Sequence, residues 1–66
     1  MSTKHAYDAH VYRKGDWWMI EIPELDALTQ ARRWMDVEDQ AISLAAAMTN
    51  AKLSEVSVRI SHRDAP

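Results

Sequence analysis

Polar and apolar side chains alternate along the first third of the chain, as they do in strands with one buried face. Between residues 7 and 12, Tyr7, Ala9 and Val11 alternate with more polar residues, so their side chains lie on the same face of a strand. Residues 17–22 are rich in aromatic and β-branched side chains and predict a second strand. The intervening Arg13-Lys14-Gly15-Asp16 predicts a tight turn, because glycine accepts a positive φ. The pattern therefore predicts a β-hairpin.

The pairing that best separates apolar from polar side chains gives this hairpin two different faces. On the mixed face it sets three residues of each strand opposite one another: Tyr12 and Trp17, His10 and Met19, Asp8 and Glu21. The apolar face then pairs Val11 with Trp18, Ala9 with Ile20, and Tyr7 with Ile22. A slip of one residue would move every side chain of a strand to the other face, so the hydrophobic pattern fixes which face is buried.

The rest of the chain predicts a third strand, a helix and a fourth strand. Pro23 ends the second strand because it cannot donate to a ladder, and residues 28–33 show a weaker strand pattern. Apolar residues at helical spacing then predict a single helix of about 14 residues, and these residues are Val37, Ala41, Leu44, Ala45 and Met48. Asn50 is suited to the left-handed conformation that ends a helix. Alternation from Val56 to Ile60 predicts the last strand.

The order β-β-β-α-β predicts an α+β fold, a small antiparallel sheet with one helix on one face. We expect a single domain over residues 1–66, with a structured core at about residues 7–61 and loose ends. One helix of this length covers one face of such a sheet, so the other face meets water or another protein.

The mixed face of the hairpin is the candidate protein-binding surface. Aromatic side chains and methionine are enriched where interfaces concentrate their binding free energy. The same side chains could also serve as cross-strand pairs that stabilise the hairpin, and the two roles are compatible. The candidate contact residues are Tyr12, Trp17, Met19, Glu21, His10 and Asp8. We expect Trp18 in the core and Trp34 packed under the start of the helix.

Composition narrows the class of protein further. Hydrophobic residues make up 47% and charged residues 27% of the chain, a globular balance. Without cysteine, disulfides and thiolate metal sites are excluded. The chain lacks an apolar run near the ~18 residues that cross a bilayer, so we expect a cytoplasmic protein with no membrane partner.

The net charge of −2 argues against direct binding of nucleic acid and suits a basic protein partner. The densest basic pairs, Arg13-Lys14 and Arg32-Arg33, are typical of solvated strand ends.

Candidate chemistry is sparse. His5, His10 and His62 lie on different segments without ligand-like spacing, so no metal site is expected. Asp8 and Glu21 could face each other and bind a divalent cation, as a metal-dependent nuclease would require. The favoured interpretation is a surface pair relieved by Arg13, Arg59 or solvent. We therefore predict no catalytic residues, no cofactor and no enzyme activity.

Three segments together resemble the N-terminal domain of HicB antitoxins, above all short actinobacterial members. They are Gly15-Asp16-Trp17-Trp18-Met19-Ile20-Glu21-Ile22-Pro23-Glu24-Leu25, then Thr29-Gln30-Ala31-Arg32-Arg33, then Asp36-Val37-Glu38. The likeness spans about residues 7–60, and its most specific part is the spacing of the first two segments.

The resemblance implies a truncated ribonuclease-H-like sheet with one helix, in a protein that covers the active site of a HicA-type mRNA interferase. Such toxins are small, basic ribonucleases with a double-stranded-RNA-binding-like fold and a catalytic histidine. The chain departs from the family at Ala27, where glycine is frequent, and at Met35, which would move the helix cap to Asp36. The operator-binding module of longer members would follow Pro66, where this sequence stops. An orphan interaction module, or a homo-oligomer without a toxin partner, is the alternative.

Overall fold

The computed structural model describes the backbone of residues 5–63 and the side chains of residues 5–62. These residues form β1 (His5–Lys14), β2 (Trp17–Ile22), β3 (Ala27–Ala31), α1 (Val37–Thr49) and β4 (Val56–Arg63). The predicted order β-β-β-α-β and the α+β class are confirmed. β1 begins at His5 and β4 continues to Arg63, so the strands extend two residues beyond each end of the expected core. Residues 1–4 and 64–66 of the expected loose ends lie outside the described residues.

The hairpin between β1 and β2 turns through Gly15 and Asp16 alone. Gly15 has a φ of 61°, which glycine adopts without the steric cost of a Cβ. This short turn pairs Lys14 with Trp17 and Tyr12 with Met19, so the predicted register of Tyr12 opposite Trp17 is wrong by two residues. A slip of two residues keeps every side chain on its own face, because the side chains alternate with a period of two.

The sheet has the strand order β3-β2-β1-β4, and β4 is parallel to β1. The predicted wholly antiparallel sheet is therefore wrong, and the described sheet is mixed. The reason lies in the connection, because a crossover that contains a helix can return the chain in the same direction. β3 and β4 run the same way, and α1 carries the chain between the two edges of the sheet.

The core lies between α1 and one face of the sheet. The helix contributes Val37, Ala41, Ala45 and Ala46, which are buried, so small alanine side chains bring the helix close to the strands. The strands contribute the apolar face of the hairpin, which includes the fully buried Val11, Ile20 and Ile22. Met48, predicted within the apolar stripe, is instead 54% exposed near the end of the helix.

The helix α1 begins and ends at the cap residues that the sequence predicted. Asp36 is the N-cap residue, although its side chain makes no cap hydrogen bond and instead accepts one from Arg33 Nε at 3.2 Å. Asn50 takes the left-handed conformation at the C-cap, with a φ of 58°, and donates its backbone N–H to Ala46 O. Between residues 5 and 63, no helix is long and apolar enough to cross a membrane.

Candidate functional site on the open face of the sheet

The face of the sheet opposite α1 is called the open face here. All six candidate contact residues lie on it, because side chains alternate along β1 and β2 and these six lie on the face opposite the buried ones. Among the described residues, the core cluster takes no side chain from this face. β3 and β4 complete the open face, whose described side chains are Ala6, Asp8, His10, Tyr12, Lys14, Trp17, Met19, Glu21, Leu28, Gln30, Arg32, Ser57, Arg59 and Ser61.

An aromatic and apolar strip occupies the two central strands of the open face. Tyr12 and Met19 are directly opposite each other on β1 and β2, and Trp17 lies one step nearer the turn. The three side chains are partly buried, although no described element covers them. The Arg32 guanidinium lies 4.8 Å from the centre of the Trp17 ring, which extends the strip towards β3. These four side chains form a surface that is neither core nor fully solvated.

Charge on the open face is divided along the strands. Lys14 and Arg32 flank Trp17 at the hairpin end, whereas Glu21 and Asp8 lie nearer the other end. Arg59 of β4 is paired with Asp8, with 3.5 Å between Arg59 Nε and Asp8 Oδ1. Because both signs are present, the acidic balance of the whole chain does not come from this face. Other carboxylates lie in the connections and at the start of α1: Asp16, Glu24, Asp26, Asp36, Glu38, Asp39 and Glu55.

The expected pairing of Asp8 with Glu21 is not formed. Glu21 is opposite His10 on one side and Leu28 on the other, while Asp8 is opposite Arg59. The two-residue shift of the hairpin register separates the two carboxylates, which removes the geometry that a divalent-cation site at this pair requires. The described residues hold no group of three or more His, Asp or Glu side chains that could bind a metal ion.

A shallow pocket lies at the end of the open face away from the hairpin turn. Glu21 and Leu28 line it from the sheet, and Pro23, Asp26 and Ala27 line it from the connection between β2 and β3. Asp26 has a φ of 51° and closes the short turn after Pro23 by donating its N–H to Pro23 O. Leu28 is 56% exposed, so this end of the face combines an accessible apolar side chain with two carboxylates.

The opposite side of the hairpin end carries an aromatic cluster that the sequence did not reveal. The Trp18 ring packs against Trp34 at 4.9 Å and against His62 at 5.4 Å between ring centres. Arg13 lies over Trp18 at 5.0 Å, directly across the ladder. Trp18 borders the core as expected, but Trp34 is 48% exposed instead of packed under the helix. The cluster depends on the parallel pairing of β4 with β1, and nothing in the sequence signalled that pairing.

Comparison with known proteins adds no family to this picture: no family model, no curated protein and no solved structure matches the chain.

Proposed function

We propose that this chain is a HicB-like antitoxin domain, a partial ribonuclease-H-like sheet with one helix that binds a HicA-type mRNA interferase. In this proposal the open face covers the active site of the toxin and blocks RNA cleavage. The proposal draws on the three sequence segments that resemble the family and on an element order, β-β-β-α-β, that agrees with the resemblance. The observation that carries it is the uncovered strip of Tyr12, Trp17 and Met19.

The strip has the composition of an interface centre. Tryptophan, tyrosine and arginine are enriched among the residues whose truncation costs an interface at least ~2 kcal/mol. Trp17 already has the Arg32 guanidinium 4.8 Å from the centre of its ring. A partner that covers this ring would remove both side chains from water together. We therefore expect Trp17 to be the largest single contributor to toxin binding.

Charge indicates how a basic toxin would be oriented on the face. The pocket end presents Glu21 and Asp26 beside the exposed Leu28, whereas the hairpin end presents Lys14 and Arg32. Opposite charges attract during encounter and like charges are costly in contact. A basic toxin surface would therefore approach the pocket end, with its apolar side chains over the central strip.

The size of the open face indicates that the toxin also reaches an edge strand. Four strands about 4.8 Å apart and a central strand of about 20 Å give a footprint of roughly 400 Å². A stable interface covers about 800 Å² on each partner. Each outer strand of the described sheet, β3 and β4, pairs with a neighbour on one side only. A toxin segment could add to either edge by backbone pairing.

The experiment measures inhibition of RNA cleavage by a HicA-type toxin, ideally one encoded beside this chain. The test variant is Trp17→Ala/Met19→Ala on the open face. The matched control is Trp34→Ala/Met35→Ala, which removes the same two residue types from the other side, where Trp34 and Met35 are 48% and 70% exposed. We expect the open-face variant to weaken inhibition by about 30-fold or more, while the control inhibits as the unaltered chain does.

Two results would count against the proposal. If the two double variants lose inhibition equally, the open face is not the toxin-binding surface. If the unaltered chain does not bind or inhibit the toxin encoded by a neighbouring gene, the antitoxin assignment fails. Circular dichroism on every variant separates lost binding from lost folding.

A further inference from the structure

We propose that, in the absence of another partner, two copies of this chain pack their open faces together with their strands antiparallel. The inference concerns the chain alone and does not require the antitoxin function. It starts from the exposed strip on the central strands and from the division of charge along those strands.

The charge pattern of the open face is complementary to itself after a half-turn. A two-fold axis across the strands places the hairpin end of one copy over the pocket end of the other. Lys14, near one end of β1, then lies over the part of β1 that carries Asp8, with its partner Arg59, in the second copy. Arg32 lies over the pocket end of β3, next to Glu21 and Asp26 of the second copy. The parallel arrangement would instead bring the basic hairpin ends of the two copies together.

The same half-turn leaves Tyr12 and Met19 near the centre of the contact, whereas Trp17 lies at the hairpin end beside Lys14. The midpoint between Lys14 and Asp8 on β1 is one residue from Tyr12, so Tyr12 and the Met19 opposite it each pack beside their counterparts from the second copy. Two sheets that meet in this way form a sandwich with their strands within about 30° of each other. The contact removes from water an aromatic surface that is partly exposed in the monomer.

The contact is expected to be weak. A face of roughly 400 Å² per copy lies at the low end for specific association, so we expect dissociation constants on the order of 100 µM. Weak pairing would protect the open face and still release it to a tighter partner. That last step rests on the proposed function, because a toxin on the same face would separate the two copies.

The experiment is sedimentation equilibrium of the purified chain from about 10 µM to 1 mM, using two charge variants. An acidic variant, Lys14→Glu/Arg32→Glu, makes both ends of the face negative. A basic variant, Asp8→Asn/Glu21→Lys, replaces two negative charges near the pocket end by one positive charge and leaves Asp26 in place. All four side chains are exposed, so neither variant alters the core. We expect the average mass of the unaltered chain to rise towards twice its 7.6 kDa, and each variant alone to associate at least 10-fold more weakly.

Mixing the two variants should restore association, because the negative face of one then meets the positive face of the other, which shows that the loss in each variant is electrostatic. A chain that stays monomeric to 1 mM overturns the inference. It is also overturned if self-association is unchanged in both variants and in Trp17→Ala, since pairing through a sheet edge would give that result. Toxin is absent from all these measurements, so their failure is distinguishable from failure of the antitoxin proposal.

Discussion

Neighbouring residues on β2 should differ sharply in what they contribute to stability. Ile20 is 0% exposed and packs in the core, whereas Met19 lies on the open face. Truncating a fully buried isoleucine to alanine removes buried methyl groups and leaves a cavity, at a cost of about 2–5 kcal/mol. Met19→Ala removes cross-strand contacts on the uncovered face, at a cost of about 0.2–1 kcal/mol.

The difference is large compared with the total stability of a chain this size. A domain of 66 residues unfolds with a free energy of about 3–10 kcal/mol. Ile20→Ala is therefore expected to lose a large share of this free energy, and Met19→Ala is expected to lose little of it. Urea unfolding followed by circular dichroism measures both free energies.

Ile20→Val provides a graded version of the same test. It should cost about 0.5–1.5 kcal/mol and lower Tm by about 4–8 °C per kcal/mol. If Met19→Ala proved as destabilising as Ile20→Ala, Met19 would belong to the core and the open face would not exist as described.

Two further predictions concern the ends of elements. Gly15→Ala should lower the free energy of unfolding by about 1–2 kcal/mol. Backbone strain is the whole cause, because no atom lies within 4 Å of the added Cβ. Thermal unfolding measures the loss, and an unchanged Tm would contradict the turn conformation. At the end of α1, Asn50→Gly should be at least as stable as the unaltered chain and Asn50→Ala less stable, since the position has a φ of 58°. The reverse order in urea unfolding would show that the left-handed cap is not formed.

The two faces of the hairpin could be predicted from sequence because they depend only on alternation. Trp17 and Met19 lie away from the core, and Trp18 and Ile20 face it, as the parity required. The register could not be fixed in the same way, because shifts by two residues leave that parity unchanged. Only the length of the turn decides among them, and Lys14 proved to belong to the strand instead of the turn.

Contacts between distant segments could not be predicted from the sequence pattern. The direction of β4 depends on how α1 crosses the sheet, and the alternation of Val56, Val58 and Ile60 is the same for either direction. The cluster of Trp18, Trp34 and His62 follows from that direction, so it was missed as well. The predicted apolar stripe on α1 was wrong at its last turn, where Met48 is 54% exposed.

The indole N–H signals of Trp17 and Trp34, observed by NMR while a HicA-type toxin is added, test the central claim most directly. Trp17 lies on the open face and Trp34 lies on the side of the helix, so the two signals report on opposite surfaces. The account predicts that the Trp17 signal shifts or broadens on binding while the Trp34 signal stays in place. A shift of Trp34 with Trp17 unmoved would show that the toxin binds the other side of the sheet.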